Sequence, residues 1–114
     1  MNKILPAEEM QKKHRLYAGN RPKIKLDKHK VPKDLHKLIP LAEKWGIGDD
    51  IIRADFEEKT SKSDKIKLKN VLKGNTKKIN KWLDTFKGKK MSDEAAAFMY
   101  MLSAADEIGV YPKE

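Results

Sequence analysis

The sequence predicts an all-α protein: a small orthogonal bundle of four to five helices around a buried C-terminal helix, with an extended basic N-terminal arm. Three observations predict it. Apolar residues recur at helical spacing from Pro32 onward, the segment from Ser92 to Ile108 is apolar almost all round, and the first thirty residues are basic with few large apolar side chains. A chain of 114 residues makes one domain and buries roughly two-thirds of the surface its unfolded state exposes. That is enough for a core without staples. With no cysteine, neither disulfides nor thiolate sites are available, which suits a reducing compartment.

Residues 1–31 read as the arm, with room for a short helix at 6–18 closed by Gly19. The large apolar residues there are only Met10, Leu16 and Tyr17. Arg21 to Val31 alternates loosely through Lys23, Ile24, Lys25 and Leu26, with too little apolar content for an independent strand, so the expectation is an extended, partly ordered segment. Residues 32–114 read as a single helical domain. Pro32 and Asp34 suit a helix start, and Leu35, Leu38, Ile39, Ala42 and Trp45 form its apolar face. Pro40 removes the bond to residue 36, so this segment is kinked or divided in two.

Gly46 and Gly48 break the chain. Asp49 or Asp50 then caps a short helix carrying Ile51, Ile52, Ala54 and Phe56. A helix from about Ser63 to Leu72 places Ile66, Leu68, Val71 and Leu72 inward and lysines 62, 65, 69 and 73 along one side. From Thr76 to Phe86, Ile79, Trp82, Leu83 and Phe86 fall at i, i+3, i+4 and i+7, with Lys77, Lys78 and Lys81 opposite and Asn75 or Thr76 as cap. Ser92 caps the last helix, Asp93 and Glu94 occupy its first turn, and Gly109 ends it. Its alanines allow neighbouring backbones to come close. Trp45 and Trp82 both fall on apolar faces and are expected in or near the core.

Charge comes in blocks of +7 (residues 1–37), −4 (38–58), +10 (59–90) and −4 (91–114), within a net charge of +9. Such fields bear on steering and partner choice. Among 26 basic residues only Arg15, Arg21 and Arg53 are arginine. Arginine's planar fork reads guanine or a phosphate bidentately, whereas lysine is a solvated point charge. The lysine excess therefore argues against sequence-specific base readout, and genome composition would also produce it.

Two groups are candidate contacts for phosphate or an acidic partner. The arm supplies Lys12, Lys13, Arg15, Arg21, Lys23 and Lys25, with Tyr17 as an aromatic to stack on a base; the helices supply Lys65, Lys69, Lys73, Lys77, Lys78 and Lys81. Ordinary solvated surface is the competing explanation for both.

No catalytic, cofactor-binding or metal-ligating residues are expected. His14, His29 and His36 lack ligand spacing. Asp49, Asp50, Asp55, Glu57 and Glu58 look like a cap and helix surface, with Arg53 placed to pair with Glu57. The glycines at 46 and 48 lack the flanks of a phosphate or dinucleotide loop. Ile4 and Leu5 before Pro6 are too little for a signal-peptide core, and the run from Ala95 to Leu102 is far short of the ~20 residues that span a bilayer. A cytoplasmic protein is expected.

The function expected is therefore a non-catalytic interaction module: a small bacterial regulatory, adaptor or neutralising protein that binds an acidic protein partner. The alternative is a sequence-nonspecific nucleic-acid-binding protein using the arm and the lysine helices. The acidic blocks, which nucleic acid would repel, favour the first.

Overall fold

The computed structural model describes residues 24–112, and they contain helices and turns but no strand. The arm up to Lys23, including the helix expected at 6–18, lies outside the described residues. After two short 3₁₀ segments, Lys28–Lys30 and Lys33–Leu38, come five α-helices: α1 (Ile39–Trp45), α2 (Asp50–Lys59), α3 (Lys62–Leu72), α4 (Thr76–Asp84) and α5 (Asp93–Glu107). The predicted all-helical class holds.

Pro40 does divide its segment. The chain runs as a 3₁₀ helix to Leu38, and α1 begins with Pro40 in its first turn, where a missing N–H costs nothing. Caps follow the sequence closely. Asp49 accepts from the amides of Ile51 and Ile52, Ser61 from Asp64 and Ser92 from Ala95. Asn75 is different: its side-chain amide donates to the Val71 carbonyl at 2.7 Å, closing α3 rather than opening α4. Helix α4 stops at Asp84, short of the expected Phe86. Its last turn tightens into i to i+3 bonds, with the Thr85 hydroxyl donating to the Trp82 carbonyl. At the end of α5, Gly109 takes φ +77°, and the amides of Gly109 and Val110 donate to Asp106 and Ala105. This is the paired bonding of a Schellman close, which favours glycine at that position.

Helix α5 is the centre. Ala95, Ala97, Phe98, Met101, Leu102, Ala104 and Ala105 are all buried, and α1, α3 and α4 pack against it. Around it lie Leu35, Leu38, Ala42, Trp45, Leu68, Leu72 and Ile79. Trp45 is fully buried, with its ring edge-to-face on Phe56 of α2 at 5.0 Å. Trp82 is half-buried and packs edge-to-face on Phe98 at 5.2 Å. Such geometry suits the ring quadrupoles.

One segment is more ordered than its composition suggests. Leu26 and Val31 are buried and Ile24 packs against the core. Two carboxylates hold this stretch by its backbone: Glu43 of α1 accepts from the Leu26 amide at 2.8 Å, and Glu94 of α5 from the Asp27 amide at 3.0 Å. The loose alternation through Ile24 and Leu26 is thus the apolar side of a docked segment. His36 lies beside it, with Nε2 2.8 Å from the Val31 carbonyl.

The closest backbone approach is at Gly46, where α1 ends over α5. A Cβ there would stand 2.5 Å from the Ala42 carbonyl oxygen and 2.6 Å from that of Ala97, and neither backbone atom has room to retreat. At Gly48 the nearest atom is on the movable Tyr100 ring, at 3.1 Å. Gly46→Ala is therefore expected to destabilise by about 3 kcal/mol or more through overpacking, and Gly48→Ala by under about 1 kcal/mol. Urea unfolding of the two variants beside wild type checks the contrast.

Candidate functional site

Two constellations stand out: an open lysine face on α3 and α4, and a buried charge cluster between α2 and α5. The lysine face begins with helical geometry. Positions 62, 66, 69 and 73 lie at i, i+4, i+7 and i+11, one straight stripe along a helix. Lys62, Ile66, Lys69 and Lys73 are all exposed, Ile66 at 49%. Leu68 and Leu72 turn inward instead. On α4, Ile79 is buried, and Lys77, Lys78 and Lys81 are exposed. Among the described residues the only lysine ion pairs are Lys44 with Asp64 (2.9 Å) and Lys59 with Asp55 (3.1 Å). The stripe lysines are therefore free to meet a partner.

The structure assigns places to some of the expected contacts and not to others. Lys69, Lys73, Lys77, Lys78 and Lys81 are exposed as expected, and Lys25 is exposed beside the docked Leu26. Lys12, Lys13, Arg15, Arg21 and Lys23 lie outside the described residues. Lys65 departs from the open row: it is half-buried at the edge of the Leu68 and Leu72 face, and its charge reaches Glu57. Ile66, expected inward, is corrected to the surface. The apolar stripe of α3 is narrow, so periodicity alone did not exclude Ile66 from it.

The buried cluster centres on Arg53, the one arginine among the described residues, 5% exposed. Its Nε and Nη2 donate to the two oxygens of Glu107 at 2.9 Å each, Nη1 donates to the Ile47 carbonyl at 2.8 Å, and Nη2 also reaches Asp50 at 2.8 Å. The guanidinium carbon lies 5.7 Å from the centre of the Tyr100 ring. The expected pairing with Glu57 is the longest of the Arg53 ion pairs, at 3.8 Å. The strong partner is 54 residues away, so helical spacing gave no sign of it. A lone arginine in an acidic block was the available signal, since a planar fork is the side chain suited to a buried bidentate pair.

Burial pushes the Glu57 carboxyl up to about 8, with hydrogen bonding and charge from neighbouring Glu107 acting the same way. Bonding from Arg53, then from Glu57, holds Glu107 down at about 2. The two carboxyls interact, so they titrate as a pair. The Glu57 Oε2 atom is buried and has no hydrogen-bond partner among the described residues. This arrangement joins α2 to α5. The other acidic residues are also largely engaged: Asp49 caps, Glu43 and Glu94 hold backbone amides, and Asp64 pairs with Lys44. Among the described residues no group of three histidine, aspartate or glutamate side chains is arranged to hold a metal ion.

The cluster predicts a pH profile. Glu57 binds its proton more tightly folded than unfolded, so its contribution is full below its ordinary 4.5 and lost as pH rises through about 8. Glu107 has the opposite sign: its contribution is present above 4.5 and lost as pH falls through about 2. Thermal midpoints followed across pH should decline on the alkaline limb in wild type, and Glu57→Gln, which cannot lose a proton, should flatten that limb. Arg53→Met removes the partner of Glu107 and leaves the Ile47 carbonyl without its donor, and should cost on the order of 3 kcal/mol in urea unfolding, the low end for breaking a buried pair because Glu107 is 42% exposed.

No protein-family model, curated protein or solved structure matches this chain, so what it does rests on the chemistry of these two constellations.

Proposed function

We propose that the chain is a non-catalytic docking module of regulatory or adaptor type, which takes an acidic protein surface on the exposed faces of α3 and α4. The observation that carries this reading is Ile66, half exposed in the middle of the Lys62, Lys69 and Lys73 stripe. A phosphate backbone is met by charge alone. An apolar anchor ringed by cations suits a protein surface whose own apolar residue lies among carboxylates, since interfaces combine a desolvated centre with a charged rim. Lys77, Lys78 and Lys81 extend the same field along α4. The acidic residues near Arg53 serve as caps and ion-pair partners, which supports a structural rather than a catalytic role for them.

A second reading, sequence-nonspecific nucleic-acid binding, has its own supporting observation. Lys25, Lys28, Lys30, Lys33 and Lys37 are all exposed and have no ion-pair partner among the described residues. Together with the stripe they offer a charge-only surface.

Capture from host extract and fluorescence anisotropy with mixed-sequence DNA and RNA separate the two, using wild type, Ile66→Ser and Lys69→Glu/Lys73→Glu. Protein docking predicts an acidic captured partner that is lost with either variant, and negligible nucleic-acid binding near physiological salt. Nucleic-acid binding predicts a steep fall of affinity with salt, a slope reduced by about 0.9 for each lysine removed, and indifference to Ile66→Ser.

A further inference from the structure

The acidic surface that the lysine stripe requires is present on the chain itself. Helix α2 turns Arg53 and Glu57 inward. Its opposite side carries Ile51, Ala54 and Glu58, all exposed, flanked by Asp55 and Asp50. Ile51 and Glu58 are seven residues apart, on one line of the helix. Ile51 is 51% exposed, and with Ile66 it makes up the pair of large apolar side chains left open among the described residues. One isoleucine therefore sits in an acidic stripe and the other in a basic one. Two of these carboxylates have a cation on their own chain, Asp55 with Lys59 at 3.1 Å and Asp50 with Arg53 at 2.8 Å, and Glu58 has no ion pair among the described residues.

We infer that the lysine stripe of α3 docks on the acidic stripe of α2 of a second copy, with Ile66 of one protomer against Ile51 of the next. The inference rests on the docking reading above and names its partner. Charge complementarity selects this occupant: Lys62, Lys69 and Lys73 face Glu58 and Asp50, the latter 85% exposed although one of its oxygens accepts from Arg53, and the contact removes both exposed isoleucines from water. Helices α2 and α3 are consecutive and make little direct contact with each other. An interface between unlike surfaces is head-to-tail, leaving one free stripe of each kind at the ends of an assembly unless it closes into a ring.

Sedimentation velocity on the full chain tests it, using charge variants placed away from Arg53 and its partners. Wild type is expected to associate in a concentration-dependent way at low salt and to dissociate as salt screens the stripes. Lys62→Glu/Lys69→Glu and Ala54→Lys/Glu58→Lys, each with wild-type circular dichroism, should each weaken association about tenfold. Mixed in equal amounts, they should recover it, because the first carries two acidic stripes and the second two basic ones. Ile51→Ser and Ile66→Ser should weaken it equally. A wild type that stays monomeric at low salt, or a mixture that fails to recover, overturns self-docking. Continued capture of another acidic protein through Ile66 would then leave the broader docking reading intact, whereas loss of both would end it as well.

Discussion

The architecture depends on one constraint: α5 has almost no face that can be left in water. Seven of its side chains from Ala95 to Ala105 are buried apolar groups, and α1, α3 and α4 are placed by the need to cover them. Its small residues determine how closely. Gly46 lets the end of α1 lie against the Ala97 backbone, while Phe98 supplies the bulk that Trp82 covers from α4. At its acidic beginning, Glu94 holds the segment before α1 by a backbone amide, and at its end Glu107 holds α2 through Arg53. One helix thus positions both ends of the fold, with apolar contact along its length and a carboxylate near each end.

This constraint also sorts the charges. Carboxylates accept hydrogen bonds, and the groups in need of partners at helix starts and along docked backbone are N–H donors. Asp49, Glu43 and Glu94 meet that need. Lysine offers only donors on a long, entropy-rich stem and has few such structural uses. The acidic blocks are therefore partly absorbed by the fold, and the lysines from 62 to 81 are mostly left outside. The exposed lysines of α3 and α4 form a basic surface, and on α2 Asp50 and Glu58 remain acidic and exposed.

Local signals were legible. The division at Pro40, the caps at Asp49 and Ser92, and the buried character of α5 follow from residues within one helical turn of each other, and the structure has them as the sequence predicts. What could not be read depends on distance or on a narrow face. Glu107 meets Arg53 across the fold, and the Leu26 and Asp27 amides find carboxylates 17 and 67 residues away. Ile51 and Ile66 sit on short helices with few apolar residues, where a slightly rotated stripe fits the sequence equally well and only packing selects between them. Of the expected contact residues, those on α3 and α4 were legible because Leu72 and Ile79 fix the opposite side. Lys65 was not, since its place depends on Glu57 of another helix.

The buried cluster and the surface are therefore one problem. Helix α2 reaches the core through Phe56 against Trp45 and through Arg53 against Glu107. A salt bridge taken out of water repays its desolvation only with good geometry and further hydrogen bonds, which Arg53 obtains from Ile47 and Asp50. An apolar residue at position 53 would still bury, but it would not fix the rotation of α2 about its axis, because apolar contact is non-directional. Two parallel N–H donors to Glu107 are directional. They turn the Arg53 side inward and so turn Ile51 and Glu58 outward, and the acidic stripe exists as a surface because of that rotation.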